Sequence, residues 1–186
     1  MGKIFDRGHD GGNKWRWQTI EEWVKANDWR YGAELGVWYG ETFKHLVQNC
    51  PNLNLLGVDL YQEQPQNSGP QRYFPGEDGH MWEHEKYYAD VKKFCSTTNG
   101  RATIYRGTTI EASTRVEDES LDFVFIDADH SFEGVDQDII HWSPKVKSGG
   151  YIIGHDIHWL SVKQAVEKHY DKQYNTAEDF IWYVIK

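Results

Sequence analysis

Residues 31–47 read Tyr31-Gly32-Ala33-Glu34-Leu35-Gly36-Val37-Trp38-Tyr39-Gly40-Glu41-Thr42-Phe43-Lys44-His45-Leu46-Val47, an apolar run that passes through glycines spaced by four into a helix-period segment. The run Tyr31 to Val37 predicts a first strand. Phe43, Leu46, Val47 and Cys50 fall on one face of the helix that follows, and Pro51 stops it. Strand-like and helix-like segments keep alternating from here, which predicts an α/β, Rossmann-like fold with a mostly parallel central sheet and helices on both faces. The further strands are expected at Leu55 to Leu60, Ala102 to Tyr105, Leu121 to Ile126 and Tyr151 to Ile153, with a C-terminal edge strand pair ending in Phe180 to Ile185. Leu121 to Ile126 is nearly all apolar, as a central strand buried on both faces must be. Tyr87, Tyr88, Val91, Phe94 and Cys95 share one helix face; Val135, Ile139, Trp142 and Val146 share a second; Val162, Ala165, Val166 and Tyr170 share a third. Gly149-Gly150 predicts a turn before Tyr151.

Working outward, Thr19 with Glu22 reads as a capping box that opens a helix turning Ile20, Trp23 and Val24 inward. Residues 1–30 are therefore an N-terminal arm and helix. The polar stretch 61–80 is long for a loop in a compact domain, and such loops are commonly lids that close over a site. One domain spanning residues 1–186 is expected, since roughly 100–200 residues make a domain.

Composition narrows the function. The balance of 20 Lys+Arg against 29 Asp+Glu gives a net charge of −9, which opposes attraction to phosphate backbones and anionic lipid. Neither nucleic acid nor a membrane is an expected partner. No window approaches the roughly 18–20 apolar residues of a membrane span, and Met1 to Asp6 reaches charge before a signal sequence forms. Cys50 and Cys95 each sit in an apolar helical rhythm, as buried reduced thiols do, so a cytoplasmic protein is expected.

In open parallel sheets, ligands bind beyond the carboxyl ends of the strands. Those places hold Glu34 to Gly40, Asp59, Gly107-Thr108, Asp127 to His130 and His155-Asp156. Each is charged, Gly or His, so five candidate contacts converge on one edge. Gly32, Gly36 and Gly40 do not fit the G-x-G-x-x-G of a nicotinamide or flavin site, which disfavours an oxidoreductase. Asp59 follows Gly36 by 23 positions, near the roughly 20-residue separation at which an acid meets ribose hydroxyls. Thr108 with Glu111 also reads as a plain helix cap. His80 and His84 are four apart, but in the order H-M-W-E-H, which is that of a solvated face and not of a metalloprotease. Trp15, Trp17, Trp38 and Tyr39 suit either a substrate pocket or core packing.

The E-x-G-x-x-x-G spacing resembles the nucleotide loop of class I S-adenosylmethionine-dependent methyltransferases. The segments Asp127-Ala128-Asp129-His130-Ser131-Phe132-Glu133-Gly134-Val135 and Gly149-Gly150-Tyr151-Ile152-Ile153-Gly154-His155-Asp156 are similar to those of small metal-dependent O-methyltransferases of the macrocin (macrolide-sugar) kind, related to the catechol type. The resemblance covers about residues 31–170. It implies S-adenosyl-L-methionine as cofactor, held by Glu34, Gly36, Trp38, Gly40, Asp59, Gly107 and Thr108. It further implies a divalent metal, Mg²⁺ or Mn²⁺, on Asp127, His155 and Asp156, with Asp127 and His130 catalytic and His130 the general base. Where the macrolide-sugar relatives carry an acidic pair, this chain has His155-Asp156, and a nitrogen ligand admits Zn²⁺ as well. The activity implied is methyl transfer to a hydroxyl of a small molecule, a sugar among the candidates. A hydroxyl is a poor nucleophile, so a metal that lowers its pKa and a base that takes its proton both suit that chemistry. The alternative is a non-catalytic cofactor-binding or scaffold protein with the same fold, and a homo-oligomer is compatible with either.

Overall fold

A computed structural model describes residues 14–62 and 83–186. The arm before residue 14, His80 and nearly all of the expected lid lie outside the described residues. Seven strands form one sheet: β1 Tyr31–Leu35, β2 Asn54–Asp59, β3 Ala102–Arg106, β4 Leu121–Ile126, β5 Val146–Gly154, β6 Asn175–Thr176 and β7 Trp182–Ile185. Six helices accompany them: α1 Arg16–Ala26, α2 Glu41–Asn49, α3 His84–Ser96, α4 Thr109–Ser113, α5 Phe132–Trp142 and α6 Leu160–Tyr170. The strand order is β3-β2-β1-β4-β5-β7-β6. The first five strands are parallel, and β7 runs antiparallel to both β5 and β6, which is the edge pair expected from the sequence.

Side-chain alternation along the strands builds two cores. Phe123 and Phe125 of β4 point to the face covered by Ile20 and Val24 of α1, Phe43, Leu46 and Val47 of α2, and Val91 of α3. Val124 and Ile126 point the other way, against Val135, Ile139 and Trp142 of α5 and Val162, Ala165 and Val166 of α6. Both cysteines are free thiols; Cys50 is buried and Cys95 half-buried. Among the described residues, no helix is long and apolar enough to cross a membrane.

Several boundaries differ from expectation, each for a local reason. Helix α1 starts at Arg16 and not after Thr19, because Asp179 accepts the Arg16 amide at 2.9 Å and the Gln18 side chain accepts the Trp15 amide at 2.9 Å. Strand β1 ends at Leu35, since Gly36 turns into the left-handed region at φ 84°. Val146 belongs to β5 and not to α5. Pro144, which has no amide hydrogen to donate, sits in the 3-10 turn Ser143–Lys145 between them. Gly149-Gly150 forms no separate turn but lies inside β5, where the pairing jumps from Leu121↔Val146 to Phe123↔Tyr151. Strand β7 starts at Trp182, because Asp179 and Phe180 both have positive φ.

Candidate active site

The carboxyl ends of β1, β4 and β5 are stitched together by their backbones. The Asp127 amide donates to the Leu35 carbonyl at 2.8 Å, and the His155 amide donates to the Ile126 carbonyl at 3.1 Å. This brings residues from two distant motifs into one place. Donor atoms of Asp127, His130, His155 and Asp156 all lie within 4.8 Å of one another, and among the described residues this is the one group with such geometry. The His130 Nε2 sits 2.9 Å from Asp156 Oδ2 and 3.3 Å from Asp127 Oδ1. The His155 Nδ1 lies 3.3 Å from Asp156 Oδ2 and 3.5 Å from Asp127 Oδ1.

The electrostatics follow from that crowding. Burial opposes charge on all four groups, yet the opposite charges outweigh it. His155, His130 and Arg16 hold the Asp127 carboxyl well below the ordinary carboxylate range, and the two histidines do the same to Asp156. Asp127 and Asp156 in turn raise His130 to about 10, and His155 also rises well above its ordinary value. The donor set, two carboxylates and two imidazoles converging on one point, fits a divalent cation of the Mg²⁺, Mn²⁺ or Zn²⁺ kind. His130, expected as a base, is thus also a member of the converging set.

Two members of the site carry no sequence signal of their own. Arg16, at the first turn of α1, places Nε 3.5 Å from Asp127 Oδ2 and NH1 3.9 Å from Asp179 Oδ2. Asp179 lies 3.9 Å from His155 Nε2 as well, so it ties α1 to the cluster.

The cofactor candidates occupy the neighbouring strand ends. Glu34 is 2% exposed, and its Oε2 has no hydrogen-bond partner among the described residues. Burial and the nearby Asp127 raise its pKa well above the ordinary range. A buried acceptor of this kind fits a cationic donor, such as the ammonium of an amino-acid moiety. Asp59 accepts the amides of Val37 at 2.9 Å and Trp38 at 2.7 Å on one oxygen, and that of Tyr61 at 2.7 Å on the other. It therefore shapes the glycine loop, and about one of the roughly four acceptor sites of a carboxylate remains for a hydroxyl. Gly36 is required first by the chain itself, because a Cβ there would strike the Asp127 carbonyl. Gly40 caps α2 in the left-handed region at φ 84°. Trp38, itself at φ 52°, packs with Tyr39 and Tyr87. Thr108 is a helix cap: its hydroxyl accepts the Glu111 amide at 3.1 Å, and Gly107 precedes it with its amide on the Asp59 carbonyl at 3.0 Å. Trp15 and Trp17 stack at 5.1 Å at the start of α1, and Trp17 with Tyr39 borders a surface cavity of about 310 Å³ between α1 and α2. His84 opens α3 and is not among the clustered donors.

Comparison with curated proteins gives no match. Among solved structures, a Staphylococcus aureus protein assigned as a caffeoyl-CoA O-methyltransferase superposes with a TM-score of 0.65 at 15% identity, covering 94% of this chain and 84% of that one. An O-methyltransferase from Bacillus cereus, solved with S-adenosylhomocysteine, gives 0.62 at 14% identity over 96% and 84% of the two chains. The calicheamicin methyltransferase CalS11 gives 0.63 at 15% identity over 90% and 79%. These likenesses establish the shared fold. The family profile described as a methyltransferase domain matches residues 33–157, which hold the glycine loop, Asp59 and the whole Asp/His cluster. The chain belongs to the class I S-adenosylmethionine-dependent methyltransferases.

Proposed function

We propose that this methyltransferase moves the methyl group of S-adenosylmethionine to a hydroxyl of a small molecule, with Asp127, His155 and Asp156 holding a divalent metal. The observation that carries this reading is the convergence of Asp127, His130, His155 and Asp156 within 4.8 Å, beside buried Glu34, whose Oε2 has no hydrogen-bond partner among the described residues. The solved relatives of the same fold, described as O-methyltransferases, support oxygen as the acceptor atom. Glu34 would take the amino-acid end of the cofactor, Asp59 a ribose hydroxyl, and the loop of Gly36, Trp38 and Gly40 would carry its backbone close to it. Gly107 and Thr108 would border the base. A Mg²⁺ or Mn²⁺ ion at this place supplies Lewis acidity toward an acceptor hydroxyl.

The residues of the chain do the rest. As the site stands, Asp127 and Asp156 hold His130 protonated, and a protonated imidazole takes no further proton. His130 serves as base once those carboxylates are engaged by another cation. It then receives the hydroxyl proton while the oxygen forms its bond to the methyl carbon and the carbon–sulfur bond breaks. Arg16 beside Asp127 helps keep that carboxylate ionised.

Calorimetric titration with S-adenosylhomocysteine, with and without Mg²⁺, tests the reading. Micromolar binding is expected, tighter or accompanied by separate Mg²⁺ binding that Asp156→Asn abolishes. No binding of the cofactor product would overturn it. Normal cofactor binding with activity indifferent to EDTA would remove the metal and leave proximity and orientation as the source of rate.

A further inference from the structure

We propose that Asp179 is a positioning residue for His155: from the turn before β7 it holds the ring nitrogen that faces away from the Asp/His cluster, and so keeps the other ring nitrogen turned toward a bound ion. The inference rests on the metal site of the reading above. It adds to that site a residue outside the stretch 33–157 that matches the family, and with it a preference among ions.

The two nitrogens of His155 face different neighbours. Nδ1 points into the cluster, 3.3 Å from Asp156 Oδ2 and 3.5 Å from Asp127 Oδ1. Nε2 points out of it, is buried, and has no hydrogen-bond partner among the described residues. The acid that faces it is Asp179, whose Oδ1 lies 3.9 Å away. A buried ring N–H without an acceptor is costly, and a histidine that ligates a metal through one nitrogen commonly gives the N–H of the other to a carboxylate, which fixes the tautomer and the ring plane.

Asp179 is itself held for this task. Its Oδ2 accepts the Arg16 amide at 2.9 Å, which leaves Oδ1 for the imidazole. Asp179 and Phe180 both take φ 55°, a left-handed conformation that side chains other than glycine adopt only where their surroundings compel it. Those surroundings are the loop that follows the cluster: the Phe180 carbonyl accepts the Ile157 amide at 3.1 Å, and the Phe180 ring lies on His158 with centroids 3.8 Å apart. The strained turn is thus fastened immediately after Asp156, with the Asp179 side chain 12% exposed against the outer edge of His155. Imidazole is a better ligand for Zn²⁺ than for Mg²⁺, which favours oxygen, so a device that acts on His155 matters most to Zn²⁺.

The test titrates full-length protein with ZnCl₂, in competition with a chromophoric chelator, and with MgCl₂ by calorimetry. Asp179→Ala should weaken Zn²⁺ about 10–100-fold, and its loss for Mg²⁺ should be about tenfold smaller. Unchanged Zn²⁺ affinity would overturn the inference. So would an equal loss for both ions, which is the mark of altered charge or packing and not of an effect through His155. A second measurement needs no variant at position 179: nitrogen-15 NMR of the histidine rings in zinc-loaded wild type, with His155 assigned through His155→Gln. Nδ1 is expected on the ion and Nε2 to carry the proton; zinc on Nε2, or an Nε2 without a proton, would overturn the inference while the metal site stands. A wild type that binds neither ion would instead overturn the metal reading and this inference with it.

Discussion

Asp138→Asn should stabilise the protein at pH 8 and leave it unchanged at pH 4. Asp138 lies on α5, is 3% exposed, and receives the hydroxyl of Thr109 as its hydrogen bond. Burial, with Asp129 adding repulsion, pushes its carboxyl up from 3.8 to about 7. A carboxyl whose pKa is raised by folding favours the native state in its neutral form. Its contribution is fully present below the unfolded value near 4 and is lost as pH rises through about 7. At about 1.4 kcal/mol for each pH unit, the displacement has a ceiling of roughly 4 kcal/mol, and relaxation around the charge brings it to roughly 2–4 kcal/mol. Asn mimics the protonated acid: its carbonyl still accepts from Thr109, and its amide replaces the acid O–H. For a chain of this length, about 2–4 °C accompanies each kcal/mol, so the melting temperature at pH 8 should rise by roughly 4–16 °C. Scanning calorimetry of wild type and Asp138→Asn at pH 4, 6 and 8 measures it. A difference that stays constant across that range, or a less stable variant at pH 8, would refute the assignment of a neutral, buried Asp138.

The remaining predictions concern the site. Glu34→Gln should weaken S-adenosylhomocysteine roughly 10–100-fold by calorimetry, because it removes a charged acceptor, with no loss of melting temperature, because the native state already disfavours that charge. Asp59→Ala strips an acceptor from the amides of Val37, Trp38 and Tyr61 and should cost about 1–3 kcal/mol in chemical denaturation while also weakening the cofactor. His130→Ala should lower kcat by about 10²–10⁴, followed as S-adenosylhomocysteine release, with cofactor affinity intact; normal turnover would remove His130 from the chemistry. EDTA should abolish turnover and Mg²⁺ or Mn²⁺ restore it, and Asp156→Asn should not be rescued by either ion.

The sequence by itself determined the architecture, because burial periodicity is a local property of the chain. Strand β4 was expected at Leu121 to Ile126 and lies there, since a run apolar at every position but Asp122 suits a strand covered on both faces. The faces of α2 and α6 were equally legible, as each needed only the spacing of its own apolar residues. Motif spacing likewise singled out Asp127, His130, His155 and Asp156 as residues at strand ends, which the fold then brought together. Tertiary structure alone decided what those residues face. Arg16 and Asp179 are 163 positions apart, and only the docking of α1 against the segment before β7 puts the guanidinium beside Asp127 and moves the start of α1 away from Thr19. The same holds for Gly36, whose small size is demanded by the Asp127 backbone just after β4, and for β5, whose bulge at Gly149-Gly150 answers to its pairing with β4. Pattern reports which residues a segment buries; charge balance and close backbone approach depend on distances between segments, and these exist only once the sheet has assembled.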